Sequence, residues 1–253
     1  MILFVVSDAG PAKYLAYIMA MLEPRAYDCI ASEVSAKVLE EFHIEYVIGD
    51  ESIKASNYTL IVTGSRYEPC IDNKWVSNGL KNNVRTISII DHWSLYQQRF
   101  EVNGRFVYPD VILVNDSQAK WEAQSDGILE HKLRIVGNPV LENVKRRNYS
   151  IKEEIEWKRS VGVGNDRKVI TFISENFKAD FPKDSIRYEG FDEFEVLTDL
   201  YKVIDGESTL LIKLHPSEDS TKYNFLLGKP DVVVVQQTNI SKLIKFSNVL
   251  IGM

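Results

Sequence analysis

Short apolar runs alternate along the chain with stretches in which apolar residues recur at the spacing of amphipathic helices. The runs are bounded by glycine, proline or small polar residues, and they lack the polar alternation of a half-exposed strand. Such runs are typical of parallel strands that are covered on both faces, so the pattern predicts an α/β fold. The predicted strands are 2–6, 27–31, 45–48, 58–62, 84–90, 111–114, 133–136, 168–173, 209–214, 232–235 and 249–252.

A charged stretch divides these strands into two groups. Residues 145–160 carry basic and then acidic side chains, which favours a solvated linker and a surface helix. Pro139 ends the strand before it and can start a short helix. The sequence therefore predicts two Rossmann-like, doubly wound domains at 1–140 and 167–253, joined by a hinge and linker helix at 141–166. The second domain has few strands and helices for this architecture, so we expect it to be incomplete.

Composition and charge narrow the class of protein. Of the 253 residues, 45% are hydrophobic and 26% are charged, which is sufficient for ordinary globular cores. The formal net charge of -6 argues against a general nucleic-acid binder, which usually has a basic surface. Cys29 and Cys70 lack metal-ligand spacing, and no phosphate-binding glycine motif predicts a dinucleotide cofactor. No basic leader and no membrane-length apolar run is present, so we expect a cytoplasmic protein.

Polar residues follow two of the predicted strands in the first domain. Gly64 and Ser65 come after the fourth strand, and Asp91 and His92 come after the fifth. Parallel α/β sheets bind ligands at this carboxyl edge. A Gly-Ser loop can offer backbone N–H groups to an anion, and a carboxylate or an imidazole there can act as a general base. The alternative for Asp91 and His92 is a polar strand end whose side chains pack a loop.

A Lys-Leu-His-Pro sequence ends the second strand of the second domain. Pro216 stops this strand and presents His215 at the carboxyl edge of the sheet. An imidazole in that place can donate a hydrogen bond to a phosphate oxygen and stabilise the charge that develops on a leaving nucleotide. A structural histidine is the alternative interpretation.

Three short motifs resemble segments of one superfamily. Residues 111–144 contain V-N-D, a predicted helix and then V-G-N-P-V-L-E, and this run resembles the inter-domain crossover of GT-B glycosyltransferases and of non-hydrolysing UDP-N-acetylglucosamine 2-epimerases. The His-Pro pair resembles a motif of GT-B sialyltransferases, polysialyltransferases and teichoic-acid-type polymerases. The D-H-W run that begins at Asp91 is similar to a segment of GT-B proteins of polysaccharide synthesis. A βαβ unit that ends in a turn is the alternative for the first motif.

The resemblance implies two GT-B-like domains with a ligand cleft between their carboxyl edges. It implies that the loop containing Asp8 and Gly10 lies on the acceptor side, although a helix cap explains Asp8 equally well. It also implies that Ser174 and Asn176 border the phosphates of a nucleotide donor. The predicted site residues are the catalytic Asp8, Asp91 and His92, the acceptor-loop Gly10, Gly64 and Ser65, and the donor-phosphate-binding His215, Pro216, Ser174 and Asn176.

The activity implied by the resemblance is glycosyl transfer from a nucleotide-activated sugar to a glycan or another hydroxyl acceptor, in polysaccharide or surface-glycan biosynthesis. The nucleotide-sugar is a substrate, and neither a cofactor nor a metal is implied because GT-B enzymes commonly work without a bound metal. A lipid-linked acceptor would allow peripheral association with a membrane. A UDP-sugar 2-epimerase and a non-catalytic nucleotide- or sugar-binding module are the alternatives. These families continue past the last strand with a loop and an acid-bearing helix, so we expect this chain to be truncated, the alternative being a short variant with an unusual sheet edge.

Overall fold

The computed structural model describes residues 1–49, 52–67, 70–186, 188, 190–215 and 218–252. The chain divides into two compact units, Met1–Lys145 and Arg146–Met253. Each unit contains one main parallel sheet with helices, so the predicted α/β class with two Rossmann-like sheets is confirmed. Within these ranges, no helix is both long enough and apolar enough to cross a membrane.

The main sheet of the first unit has seven parallel strands, and a small antiparallel hairpin accompanies it. The strands are β1 (Ile2–Val6), β2 (Tyr27–Ala31), β3 (Val47–Ile48), β4 (Leu60–Thr63), β5 (Arg85–Ile90), the hairpin strands β6 (Glu101–Val102) and β7 (Arg105–Phe106), β8 (Val111–Val114) and β9 (Leu133–Ile135). The spatial order is β3-β2-β1-β4-β5-β8-β9. The chain therefore winds outward in one direction from β1 and in the other from β4, and the switch point lies between these two strands.

Several α-helices accompany this sheet in the described part of the first unit, and the last of them crosses into the second unit. They are α1 (Ala9–Met19), α2 (Glu33–Glu41), α3 (Ile71–Lys81), α4 (Ser117–Ser125) and α5 (Pro139–Arg146), with short 3₁₀ turns at Pro24–Ala26, Ala55–Asn57, Gln98–Phe100 and Glu130–Lys132. Side-chain caps explain several of the starts. Asp8 accepts the Ala9 N–H, Ser32 forms a capping box with Ser35, and Asp116 accepts the Ala119 N–H.

Successive residues of β1 contribute to two different cores. Phe4 packs in a cluster with residues of α1 and α2, whereas Leu3 packs in a cluster that contains Trp75 of α3. Adjacent strand residues point to opposite faces, so both faces of the first sheet are covered. This double coverage explains why the strands appear in the sequence as continuous apolar runs.

The second unit contains a four-stranded parallel sheet. Its strands are β10 (Lys168–Ile173), β11 (Ser208–Lys213), β12 (Val232–Val235) and β13 (Val249–Ile251), and its helices are α6 (Ile151–Ser160), α7 (Phe177–Asp180), α8 (Glu193–Val203) and α9 (Ile240–Phe246). The order is β12-β11-β10-β13, which places the switch point between β10 and β13. One core cluster includes Leu197 of α8, and another includes Trp157 of α6 and Leu243 of α9.

Helix α6 differs in its role from the sequence interpretation of residues 141–166 as a hinge and linker. Its Trp157 is buried in a core cluster of the second unit, and the indole N–H donates to Thr238 Oγ1 at 3.0 Å. The helix carries many charges that are exposed or partly exposed, although one of them, Lys158, is buried beside Trp157. Charge density along the sequence therefore concealed a packed helix.

Candidate functional site

The carboxyl edge of the first sheet, at the loops that follow β1, β4 and β5, is called the first edge. Asp8 lies at its centre beside the switch point and caps α1 by accepting the Ala9 N–H at 2.8 Å. The cap that sequence reasoning gave as an alternative role is therefore present. One carboxylate oxygen makes this bond, and the side chain is only partly buried, so capping leaves acceptor capacity at the edge.

Asp91 lies directly against the first turn of α1 at Gly10. A Cβ atom built at Gly10 would be 2.1 Å from Asp91 Oδ2, so only glycine leaves room for this carboxylate. The Asp91 carbonyl accepts from Asn115 Nδ2 at 2.9 Å, which fixes the backbone at the end of β5. The structure thus brings together the loops after β1 and β5, as the common edge predicted.

Burial is the largest influence on the protonation of the Asp91 carboxyl group. It raises the pKa of Asp91, while the charges of Arg99 and His92 partly oppose the shift and Asp8 adds to it. Burial also raises the pKa of Tyr14 to about 12, with a further contribution from Asp91. A carboxylate with a raised pKa is closer to the value that suits a general base near neutral pH.

Arg99 is the cation that acts electrostatically on this group of acids. Its Nε donates to the Ser94 carbonyl at 3.1 Å and its Nη1 donates to the Ser65 carbonyl at 3.3 Å. Burial lowers the pKa of Arg99, and the negative charges of Asp91 and Asp8 act in the opposite direction. The guanidinium is therefore anchored by carbonyl groups and held near the first edge.

His92 occupies a different environment from Asp91. Its ring is exposed, and Nδ1 is 3.0 Å from the Ser94 hydroxyl. Adjacent residues at a strand end point in different directions, which is why Asp91 turns toward Gly10 while His92 turns toward solvent. The structure does not pair the two side chains that the sequence places next to each other.

Gly64 and Ser65 hold the loop after β4 in place. The Gly64 N–H donates to the Val5 carbonyl at 2.9 Å, and a Cβ there would lie 2.7 Å from Pro11 Cβ. The buried Ser65 hydroxyl donates to the Ile89 carbonyl at 2.7 Å. The Gly64 N–H that we expected to face an anion is engaged inside the sheet, so these two residues shape the first edge from within.

Sequence reasoning missed Asp72, a buried acid in the first turn of α3. Its Oδ2 accepts from the Ser7 hydroxyl and from Cys70 Sγ at 3.2 Å, whereas Oδ1 has no hydrogen-bond partner among the described residues. Burial raises the pKa of Asp72 to about 6, and the bonds from Ser7 and Cys70 limit the rise. An acid in the first turn of a helix is common, so the sequence carried no signal for this burial.

The carboxyl edge of the second sheet, at the ends of β10 and β11, is called the second edge. His215 follows β11 and is exposed, as the strand pattern predicted, and its backbone N–H donates to Glu218 Oε2 at 2.6 Å. Pro216 lies outside the described residues. Asn176, at the start of α7, accepts from Lys222 Nζ at 3.4 Å through Oδ1.

Ser174 follows β10 but faces the protein interior. It is 1% exposed, and its hydroxyl donates to Glu218 Oε1 at 2.8 Å and lies 2.6 Å from the Tyr223 hydroxyl. The hydroxyl, which is the single polar group of this side chain, is thus engaged by two neighbouring side chains. Ser174 supports the second edge from below, and the structure gives it no open position for a phosphate.

A buried network of three charged side chains underlies the second edge. Lys222 Nζ lies 2.7 Å from Glu193 Oε1 and also contacts Glu218 Oε1, and both carboxylates are almost completely inaccessible. Burial would raise the pKa of Glu218, but bonds from Lys222, Ser174 and the His215 N–H outweigh it and hold the pKa below its usual value. The sequence signal for Glu218 was its position three residues after His215, which is the spacing of a capping box.

A cavity of about 550 Å³ opens beside His215 at this edge. Its walls combine aliphatic side chains of α9 and β13 with polar residues from the ends of β10, β11 and β12. The lining residues are Ile173, Ser174, Glu175, Lys213, Leu214, His215, Gln236, Gln237, Thr238, Ile240, Leu243, Ile244 and Leu250. Small-molecule sites commonly have this volume and this mixture of apolar walls and a few polar groups.

Within the part of the chain that the structure describes, no group of three or more His, Cys, Asp or Glu side chains is arranged to hold a metal ion. The polar atoms at both edges are instead carboxylates, imidazoles, hydroxyls and ammonium groups. What these groups offer chemically is proton exchange at the first edge and hydrogen bonding to an anion at the second.

Two doubly wound parallel sheets, each with polar side chains at its carboxyl edge, define an α/β protein with two Rossmann-like units. No protein-family model matches the sequence, and no curated protein matches it either. Among solved structures, the chain is similar to Anabaena HepE in complex with UDP-glucose, with a TM-score of 0.68 and 12% identity over 99% of this chain and 73% of HepE.

Two further similar structures are UDP-GlcNAc 2-epimerases. The Neisseria meningitidis enzyme bound to UDP-GlcNAc has a TM-score of 0.62 and 12% identity over 99% of this chain and 77% of its own. The Methanocaldococcus jannaschii enzyme has a TM-score of 0.62 and 14% identity over 100% of this chain and 78% of its own. At these identities the likeness is one of fold, and it confirms the expected GT-B-like architecture.

Proposed function

We propose that this chain is a UDP-sugar-utilising enzyme that binds the nucleoside diphosphate at the second edge. The observation that carries the proposal is the cavity of about 550 Å³ beside His215 at the carboxyl ends of the parallel strands. Open α/β sheets bind ligands outside the carboxyl ends of their strands, at the switch point. The similar structures support the choice of ligand, because two of them are complexes with UDP-glucose or UDP-GlcNAc.

The lining of the cavity fits a nucleotide, which has a base and ribose at one end and charged phosphates at the other. The walls at Ile240, Ile244 and Leu250 offer contact to a base and a ribose, and the side-chain amides of the polar rim can bond their heteroatoms. His215 can donate to a phosphate oxygen, whereas Lys213 also lines the cavity but is buried and donates its ammonium group to the Leu214 carbonyl. The His215 imidazole would stabilise negative charge on a departing UDP.

The first edge supplies the proposed proton chemistry. Asp91 has a raised pKa because of burial, and Asp8 retains acceptor capacity beside it. With His92, they form the proposed catalytic group, in which a carboxylate takes a proton from the reacting hydroxyl or carbon. Glycosyl transfer to a glycan or lipid-linked hydroxyl is our first choice of reaction. Epimerisation at C2 of the sugar is the second candidate, because two of the similar structures are named 2-epimerases.

The test combines calorimetric titration with UDP, UDP-glucose and UDP-GlcNAc and a product assay by NMR. The wild-type chain should bind UDP, and H215A should weaken that binding about tenfold because one donor to the phosphate is lost. H131A is the matched control, since His131 lies in the other unit, and it should bind like the wild type. The absence of UDP binding by the wild-type chain would contradict the proposal.

The product assay separates the two reactions. Appearance of the C2 epimer of UDP-GlcNAc would identify an epimerase, whereas release of free UDP that depends on an added acceptor would identify a transferase. Binding without any product would favour the third alternative, a non-catalytic nucleotide-binding module.

A further inference from the structure

Glu218 connects the backbone of His215 to the buried network of the second edge. One carboxylate oxygen accepts the His215 N–H at 2.6 Å, and the other accepts from the Ser174 hydroxyl at 2.8 Å and contacts Lys222. The carbonyl of Glu218 also accepts from Gln236 Nε2 at 3.0 Å. Glu218 therefore links the ends of β10 and β11 through its carboxylate and the end of β12 through its backbone carbonyl.

The supports of Glu218 are themselves anchored. Lys222 also pairs with Glu193 at 2.7 Å and donates to the Glu175 carbonyl at 2.8 Å. Glu193 accepts the Lys178 N–H at 2.7 Å, so the network reaches the start of α7 as well. The two side chains that bond the Glu218 carboxylate are well enclosed, since Ser174 is buried and the Lys222 side chain is 10% exposed, and this leaves the carboxylate little freedom to move.

Stability alone is a poor explanation for this arrangement. Removing charges from water is costly, and well-packed apolar side chains often stabilise a protein at least as well as a buried ion pair. An ordinary capping-box glutamate does not need burial, as Glu195 shows. Its Oε2 accepts the Asp192 N–H at 3.2 Å, while its side chain stays about half exposed. Burial of the carboxylate at His215 therefore points to a requirement for precise position.

We infer that Glu218 is a positioning residue for His215, which it holds at the mouth of the cavity through the His215 N–H. This inference rests on the proposed function, because it assumes that His215 meets the phosphates of a nucleotide. Fixing the backbone of His215 restricts the origin and direction of its side chain, so the imidazole needs less ordering when an anion binds. Preorganisation of this kind increases affinity without adding a contact to the ligand.

A double-mutant cycle with UDP as the probe tests the inference. E218Q keeps the size of the side chain but cannot accept bonds at both of its terminal atoms, so we expect it to weaken UDP binding about tenfold in calorimetry. In an H215A background, E218Q should cause no further loss, because its effect passes through His215. An equal loss in both backgrounds, or wild-type affinity in folded E218Q, would overturn the inference.

A ligand-free measurement keeps this test independent of the proposed function. Amide hydrogen exchange of His215 should be slow in the wild type and faster in E218Q and in S174A, which removes only the hydroxyl that supports Glu218. E195Q changes the capping box of α8 in the same way and should leave the His215 amide unaffected. Unchanged His215 exchange in folded variants would contradict the positioning role, whereas changed exchange without UDP binding would contradict only the proposed ligand.

Discussion

At the first edge, the acids Asp8, Asp72 and Asp91 are accompanied by Arg99, which makes its hydrogen bonds to carbonyl groups. At the second edge, the acids Glu193 and Glu218 share Lys222 within ion-pair distance. Both groups lie at the carboxyl ends of parallel strands and both are largely buried. Among the described residues, the two groups differ in that a cation directly contacts the carboxylates at the second edge and not at the first.

The pKa directions follow this difference. Burial raises the pKa values of Asp72 and Asp91, because the bonds they receive do not outweigh it. Burial acts on Glu218 in the same sense, but direct bonds from Lys222, Ser174 and His215 reverse the outcome. The comparison teaches that burial alone does not decide the protonation of an acid. The first edge is suited to proton transfer, and the second is suited to holding a fixed shape.

Removal of the cation from the second edge should give the largest effect on stability. K222M leaves Glu193 and Glu218 buried without their partner, and we expect the free energy of unfolding to fall by about 3–5 kcal/mol in urea titrations. K202M is the control, because Lys202 pairs with Asp199 on the surface, and it should change stability by less than about 0.5 kcal/mol. If K222M and K202M lowered the free energy of unfolding by similar amounts, the direct contact of Lys222 with the buried acids would not stabilise the second edge.

The next largest effect concerns the pH dependence that Asp72 gives to stability. Its ordinary pKa of 3.8 rises to about 6 in the folded chain, so between these values the folded state holds a proton that the unfolded state releases. The contribution of Asp72 to stability should therefore be largest below about pH 4 and should decrease by roughly 3 kcal/mol as pH rises through about 6. D72N should flatten that part of the profile measured by urea unfolding from pH 4 to 7.5.

An acid on the surface provides the control for this pH series. D199N changes an exposed carboxylate and should keep the wild-type slope between pH 4 and 6. If D72N keeps the slope as well, the buried carboxylate is not the group that titrates, and the first edge is less sensitive to pH than its burial indicates.

The smallest effect should come from filling the space at Gly10. G10A places a methyl group where Asp91 Oδ2 lies, so we expect a loss of about 1 kcal/mol in thermal unfolding as the carboxylate is displaced. In a D91A background the same change should be neutral or stabilising, because alanine favours helix over glycine. A loss of equal size in both backgrounds would show that Asp91 is not what requires glycine at this position.

The sequence predicted the fold more completely than the site. Apolar runs located the main strands because both faces of each sheet are buried, and caps such as Asp116 located helix starts. The two-residue strands of the hairpin and the four-residue α7 were not predicted, since such short elements have no periodicity. Strand neighbours across the switch point also depend on contacts between residues far apart in the chain, which local patterns do not encode.

The sequence located residues at the ends of strands, but it did not predict the directions of their side chains. Asp91 and His215 follow their strands at the sheet edges as expected. Ser174 follows its strand in the same way, yet its hydroxyl points into a buried network, because a polar residue after a strand has the same signature in either case. The contact between Gly10 and Asp91 joins residues that no local pattern relates.

The packing of Trp157 gives the second unit a natural optical reporter. Of the four tryptophans in the sequence, Trp157 is the one that follows Lys145, so its fluorescence belongs to this unit alone. Its indole N–H is bonded to Thr238, and Thr238 lines the cavity beside His215. Occupation of that cavity should change the polarity around the indole, so emission near Trp157 connects ligand binding to a signal that needs no label.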